Sequence, residues 1–210
     1  RTAEDFLVRI DSRFRGDSHP LGAGSVIQIR ILIDRDVIHC ARVLVRIDLH
    51  TGTHADAPFH MLKSGKKLAE IPLDKFIGKC KVLDLTDAKG RITENELKKF
   101  EISKDDIILI KTKNKIEAKF DMNFPFVDKT GAEYLAKKKI KTLGVDSLGV
   151  ERDQPGHDTH KILFENNIAV IESLELSKIR RGSYFLIALP LKINSDAAPL
   201  RAVLVEDFCS

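Results

Sequence analysis

The chain has 210 residues, 43% of them hydrophobic and 31% charged, a composition typical of a folded globular protein and not of a disordered one. The net charge is only +4, and the basic residues are interleaved with acidic ones, which favours solvated surfaces over a nucleic-acid interface. No apolar run approaches the ~20 residues that span a bilayer, and residues 1–5 are polar, so we expect a soluble cytoplasmic protein with no membrane partner.

Residue patterns along the chain predict strands that are adjacent at both ends and separated by helices in the middle. The predicted strands lie at 5–10, 25–33, 43–49, 79–85, 106–111, 141–146, 168–171, 184–188 and 202–205. Thr93 and Glu96 form a capping-box pattern that predicts a helix over 94–100, and further helices are predicted at 129–139 and 157–165. This order indicates one α/β domain over residues 1–210 with a mixed central sheet.

The three cysteines are far apart and show no CxxC spacing. They therefore indicate neither a disulfide framework nor a zinc finger. Cys40 and Cys80 lie in apolar segments and are expected to be small buried hydrophobic residues, whereas Cys209 is expected to be exposed.

The segment His50–His60 holds three histidines and one aspartate, with Gly52 and Pro58 between them. Gly52 and Pro58 interrupt regular structure, so we expect a loop that leaves the end of a strand. Packing explains such a density of imidazole and carboxylate groups poorly, because each buried group would need its own partner. Neutral imidazole and carboxylate together suit divalent ions such as zinc or manganese. The segment therefore predicts a metal site of catalytic type.

A second histidine group follows about a hundred residues later. His157 and His160 fall on a predicted helix, and Glu172 follows the apolar strand at 168–171. His157, at the helix start, is interpreted as a surface residue, while His160 lies one turn further on and can face inward. Glu172 would be a buried charge without a cationic partner. A metal ion would supply that partner.

These residues together resemble a known family. The segment 50–60, His-Thr-Gly-Thr-His-Ala-Asp-Ala-Pro-Phe-His, is similar to the HxGTHxDxPxH signature of the cyclase-like metal-dependent hydrolases, which include enzymes of the kynurenine formamidase and isatin hydrolase type. The similarity extends over roughly residues 43–205 and includes 143–147, His160, Glu172, 189–192 and 197–201.

The resemblance implies a swivelling β/β/α fold, a homodimer or larger homo-oligomer such as a tetramer, and two zinc or manganese ions per subunit. The implied metal ligands come from both histidine groups: His50, His54, Asp56, His160 and Glu172. Asp56 would bridge the two ions and Glu172 would contact both. His60 would be the catalytic proton donor and acceptor and not a ligand.

The reaction that the resemblance implies is hydrolysis of a C–N bond in a small amide, formamide or lactam. Kynurenine formamidase (arylformamidase) activity is the leading interpretation, and isatin-type lactam hydrolysis or another amidohydrolase activity is the alternative. The chain has no Trp, although a Trp lines the substrate pocket of kynurenine formamidase, and Phe59, Phe124 and Phe126 are candidates for either a substrate wall or core packing.

Two other classes of function are alternatives to this one. The first is a non-catalytic protein that binds a metal or ligand, and the second is a Lys-rich nucleic-acid binder. His60 argues against a purely binding role, because a binding site has no need of a proton-transfer residue. The chain also lacks the HExxH, GxSxG, GxGxxG and P-loop motifs of other enzyme classes.

Overall fold

The computed structural model describes residues 47–88, 90–113, 123–152 and 154–206, together with the backbone of 5–10, 27–33 and 41–46. Its internal contacts divide the chain into two compact units, one of residues 1–51 and 116–121 and one of residues 52–115 and 122–210. The single domain over residues 1–210 stays a prediction.

The first unit contains an antiparallel sheet of three strands in chain order, β1 (Asp5–Ile10), β2 (Ile27–Ile33) and β3 (Ala41–Arg46). Their apolar and β-branched residues favour extended backbone. The first two strands lie where the sequence predicts them, and the third begins and ends slightly earlier than the predicted 43–49.

The described residues of the second unit form ten strands, three helices and three short 3₁₀ turns. The strands are β4 (His54–Asp56), β5 (Ile77–Asp84), β6 (Arg91–Ile92), β7 (Ile107–Lys111), β8 (Phe126–Val127), β9 (Thr142–Val145), β10 (Ala169–Glu172), β11 (Gly182–Ile187), β12 (Ala197–Pro199) and β13 (Val203–Val205). The helices are α1 (Glu94–Leu97), α2 (Lys129–Lys138) and α3 (Asp158–Glu165), and the 3₁₀ turns are Pro58–His60, Leu68–Glu70 and Leu73–Lys75.

Eight of these strands form one mixed sheet in the order β12-β4-β10-β9-β7-β5-β11-β13. The inner strands β10, β9, β7 and β5 are parallel, and the outer pairings are antiparallel. β6 and β8 form a separate two-stranded parallel sheet. The predicted α/β fold with a mixed central sheet is confirmed.

The continuous apolar run of β7 explains its central position, because both faces of that strand are covered. Ile108 and Ile110 pack in one hydrophobic cluster with residues of α2 and α3, whereas Ile107 and Leu109 pack in a second cluster on the opposite face. Alternate residues of a strand point to opposite faces, so a strand inside two apolar layers has no polar alternation.

Capping interactions set the starts of α1 and α2. The backbone N–H of Thr93 donates to Glu96 Oε2 at 2.9 Å, which confirms the capping box of α1. The Asp128 carboxylate accepts the Gly131 N–H at 3.0 Å at the start of α2. α1 ends at Leu97, three residues before the predicted end at residue 100, and hydrogen-bonded turns continue to Phe100.

Two further differences from the predicted elements concern the site. Residues 54–56 are a strand and not part of a loop, which corrects that expectation. Ala197–Pro199 pairs with them as β12 although it has little intrinsic strand preference.

Cys80 is buried as predicted, and Cys40 and Cys209 lie outside the described residues. Within the part of the chain that the structure describes, no helix has the length and apolarity needed to cross a membrane.

Candidate metal centre

β4 and β10 are neighbours, and their register brings together side chains from two distant segments. His54 is paired with Glu172 across the antiparallel ladder. Asp56 lies two residues further along β4, and alternate residues of a strand share a face, so its side chain is on the same side as that of His54. Ala55 between them is fully buried in an apolar cluster. A strand, unlike a loop, fixes the spacing of His54 and Asp56.

His160 joins this group from α3. His160 Nε2 lies 3.6 Å from Asp56 Oδ2 and 3.3 Å from Glu172 Oε1. His54 Nε2 lies 3.3 Å from Asp56 Oδ1 and 3.5 Å from Glu172 Oε2. Each imidazole therefore faces both carboxylates. We call His54, Asp56, His160 and Glu172 the four-residue centre, and the exposed fraction of its members is only between 1% and 6%.

Backbone groups orient two members of the centre. His54 Nδ1 lies 2.8 Å from the carbonyl oxygen of Gly52, so a neutral His54 carries its proton on Nδ1 and directs the Nε2 lone pair at the carboxylates. Gly52 has φ +63°, a left-handed conformation that glycine adopts without strain. Glu172 Oε1 accepts the Val150 N–H at 2.7 Å. The side chains are thus held in place by the main chain.

The pKa values of the centre are governed by burial and by its own opposite charges. Burial alone lowers the pKa of an imidazole, but hydrogen bonds and charge interactions with Asp56 and Glu172 outweigh it and raise the pKa of His54 to about 10. Against the same burial effect, neighbouring carboxylates raise the pKa of His160 well above its ordinary value. Burial and the Asp56 charge act to raise the pKa of Glu172, but the two histidines lower it overall. The histidines and carboxylates of the centre therefore favour each other's charged forms.

The donor set of the centre fits a divalent metal ion. The facing nitrogen and oxygen atoms are 3.3 to 3.6 Å apart, longer than the usual N–H···O distances of about 2.7–3.2 Å. Among the described residues, neither ring nitrogen of His160 has a hydrogen bond of good geometry. Once the imidazoles are neutral, all of these atoms are lone-pair donors. Imidazole nitrogen with carboxylate oxygen is a common donor set for zinc and manganese.

His60 lies next to the four-residue centre, in the turn Pro58–His60. Its ring is 5.6 Å from the His160 ring, and donor atoms of Asp56, His60 and His160 lie within 4.8 Å of one another. On its other side, His60 Nδ1 lies 3.3 Å from Asp196 Oδ2. Gly65 packs under this turn, since a Cβ there would be 2.4 Å from the Pro58 carbonyl carbon. The turn therefore places His60 beside the centre and a quarter exposed.

His50 belongs to the first unit and lies in the turn that follows β3. Its backbone N–H donates to Asp48 Oδ1 at 3.1 Å, and its side chain is partly buried. The ligand role that the family resemblance implies for His50 stays a prediction.

The three candidate wall residues differ in their surroundings. Phe124 and Phe126 are buried, and the Arg152 guanidinium lies 5.7 Å and 5.0 Å from their ring centres. Phe59 is 41% exposed, and the Lys67 ammonium lies 5.2 Å from its ring centre. Phe124 and Phe126 are thus buried, whereas Phe59 is exposed enough for a ligand to reach it.

Comparison with known proteins identifies the family. The sequence model of the family described as "Putative cyclase" matches residues 18–152. The chain belongs to this cyclase family.

A curated relative and two solved structures are similar to this chain over most of their length. Kynurenine formamidase of Bacillus cytotoxicus is 33% identical over 163 residues, which cover 76% of this chain and 78% of that protein. A solved structure of a potential metal-dependent hydrolase with cyclase activity is 38% identical, with a TM-score of 0.78 and coverage of 97% of this chain and 98% of that chain. Isatin hydrolase A from Labrenzia aggregata, at 21% identity, has the same fold, with a TM-score of 0.76 and coverage of 96% and 94%.

The sequence did not predict that two further carboxylates, those of Glu151 and Asp196, lie beside the centre. Both contact a histidine of the site, Glu151 next to His160 and Asp196 next to His60. Neither carboxylate lies in a histidine-rich segment, and single acidic residues are common on protein surfaces. The signal in the sequence was that Glu151 directly follows the mostly apolar segment 143–150.

His157 matches its interpretation as a helix-start residue. It precedes α3 with φ +51° and has a side chain that is 43% exposed. Its Nδ1 lies 2.7 Å from Glu151 Oε1. His157 therefore contacts a neighbour of the four-residue centre and not the centre itself.

Proposed function

We propose that this chain is a metal-dependent hydrolase that cleaves the C–N bond of a small amide, formamide or lactam. One observation carries the proposal, a buried centre of two imidazoles and two carboxylates with a third imidazole, that of His60, beside it. Membership of the cyclase family and the names of the relatives agree with it. Kynurenine formamidase (arylformamidase) is the leading activity because that relative is similar over most of both chains.

The proposed metal ligands are His50, His54, Asp56, His160 and Glu172, with two zinc or manganese ions per subunit. The donor chemistry of the four-residue centre supports a divalent ion, and His50 is added from the family resemblance. Bound ions of this kind lower the pKa of water towards ~7 and polarise a carbonyl group, contributing several kcal/mol to the reaction.

His60 performs the proton transfers in this proposal. Its Nδ1 faces Asp196, which supports Nε2 as the atom that transfers the proton. Nε2 accepts a proton from the attacking water and returns it to the leaving nitrogen, and such transfer typically contributes ~10²–10⁴-fold. Asp196 keeps the Nδ1–H tautomer and orients the ring, as a carboxylate does in other catalytic histidine pairs. Its Oδ1 is itself held by the Ser195 hydroxyl at 2.9 Å.

The substrate is proposed to be a small molecule that rests against Phe59. Phe59 precedes His60 in the same turn and is exposed, so a ligand next to His60 has an apolar surface within reach. Because the chain has no Trp, both a formamide and a lactam are candidate substrates. We also propose that the protein is cytoplasmic and forms a homodimer or homotetramer. It is proposed to have no nucleic-acid or membrane partner.

The test is a hydrolysis screen with zinc or manganese supplied, using N-formylkynurenine, isatin and related amides. We expect turnover of at least one of them, loss of turnover after chelation, and about one or two metal ions per chain in elemental analysis. Protein that takes up no metal would refute the proposal. Protein that binds metal but turns over no amide would be a non-catalytic binding protein.

A further inference from the structure

The Glu151 side chain lies on the outer side of His160, opposite the four-residue centre. Its exposed fraction is only 4%, and its Oε1 lies 3.2 Å from His160 Nδ1. The same oxygen is 2.7 Å from His157 Nδ1, and Oε2 accepts the backbone N–H of His160 at 3.2 Å. One buried carboxylate therefore contacts the ring of His160, its main chain and a second histidine.

The two nitrogens of the His160 ring face different groups. Nδ1 faces Glu151, and Nε2 faces Asp56 and Glu172. The Nδ1–Oε1 distance suits a hydrogen bond, but the ring N–H is not aligned with it, so the contact is best described as an ion pair. A carboxylate at Nδ1 favours the tautomer in which Nδ1 carries the proton and Nε2 has the lone pair.

We infer that Glu151 is a positioning residue for His160: its carboxylate holds Nδ1 so that Nε2 points into the centre. The inference rests on the proposed metal-dependent function. Burying the Glu151 carboxylate costs free energy. A structural role alone would not require a carboxylate, because an uncharged acceptor would also satisfy the N–H group at the start of α3.

Removing a carboxylate behind a metal-binding histidine typically weakens metal affinity 10- to 100-fold. Glu151→Met keeps an unbranched side chain of similar size and removes both oxygens. Glu151→Gln keeps the size and one oxygen acceptor. Glu165→Gln, at the exposed end of α3, is the matched control because it changes an acidic residue away from the centre.

The experiment measures the zinc dissociation constant of the full chain by chelator competition, and the unfolding temperature of each metal-free variant. We expect Glu151→Met to raise the dissociation constant ~10- to 100-fold, Glu151→Gln to raise it less than Glu151→Met, and Glu165→Gln to leave it unchanged. The metal-free unfolding temperature of Glu151→Gln should stay close to that of the wild type.

Two results would overturn the inference. The first is a Glu151→Met protein that binds zinc as tightly as the wild type. The second is a loss of affinity in both Glu151 variants that is matched by a large fall in the metal-free unfolding temperature, which would make Glu151 a structural cap of α3. A wild-type chain that binds no zinc would instead refute the proposed function, so the two failures are distinguishable.

Discussion

Asp56→Asn is the most informative single change, because Asp56 faces both imidazoles of the centre. The substitution preserves the shape of the side chain and removes its negative charge. Asp56 is only 1% exposed, so water at the protein surface cannot replace its carboxylate. The variant therefore isolates the charge of one buried carboxylate.

The expected effect follows from the distances. A pair of opposite charges 3.3 Å apart, the His54 Nε2–Asp56 Oδ1 distance, attracts by about 5 kcal/mol at an effective dielectric constant of about 20. Desolvation offsets part of this, and removing one partner of a buried pair typically costs about 3–5 kcal/mol. Glu172 still faces both histidines in the variant, so we expect the low end, about 3 kcal/mol of unfolding free energy. For a chain of this size that is a fall of about 6–12 °C in unfolding temperature.

Metal binding should respond as well. At a zinc concentration about 100 times the wild-type dissociation constant, binding stabilises the native state by about 2.7 kcal/mol. If loss of the Asp56 charge weakens binding ~100-fold, the same zinc concentration stabilises the variant by only about 0.4 kcal/mol. The zinc-induced rise in unfolding temperature should therefore nearly disappear.

The assay is thermal unfolding followed by circular dichroism, with a chelator and then with zinc. Asp87→Asn is the matched control, because that side chain is fully exposed and its contact with Lys113 is 3.8 Å long. An Asp56→Asn protein with the unfolding temperature and zinc response of the wild type would refute the reasoning, since Asp56 would then be neither an ion-pair partner nor a ligand.

Three further outcomes are expected. His60→Ala should lower kcat by ~10²–10⁴-fold while elemental analysis finds the wild-type zinc content, and loss of zinc would instead make His60 a ligand. Asp196→Asn should also lower kcat by ~10²–10⁴-fold at unchanged zinc content, because the amide no longer favours the Nδ1–H tautomer of His60, and an unchanged kcat would contradict this. The metal-free protein should lose stability as pH rises from about 6.5 to about 10, because protonated His54 stabilises the fold only below its raised pKa. Thermal unfolding across that range should show this loss with a chelator and much less of it with zinc, and an equal loss in both conditions would contradict the role of His54.

Local sequence patterns determined much of the fold and the chemical character of the site. The apolar run of β7 and the Thr93–Glu96 capping box are short-range features, and β7 and α1 form where their own residues favour them. The density of imidazole and carboxylate groups in 50–60 indicated metal chemistry, and the apolar residues before Glu172 indicated that its carboxylate would be buried, as it is.

Only the tertiary structure decided which groups meet. The pairing of β4 with β10 and β12 makes a strand of residues 54–56, and no local preference predicts that pairing. The positions of Glu151 behind His160 and of Asp196 beside His60 depend on contacts between residues 9 and 136 positions apart in the chain. An isolated carboxylate has no periodicity to reveal its partner, so its role becomes visible only when the chain has folded around it.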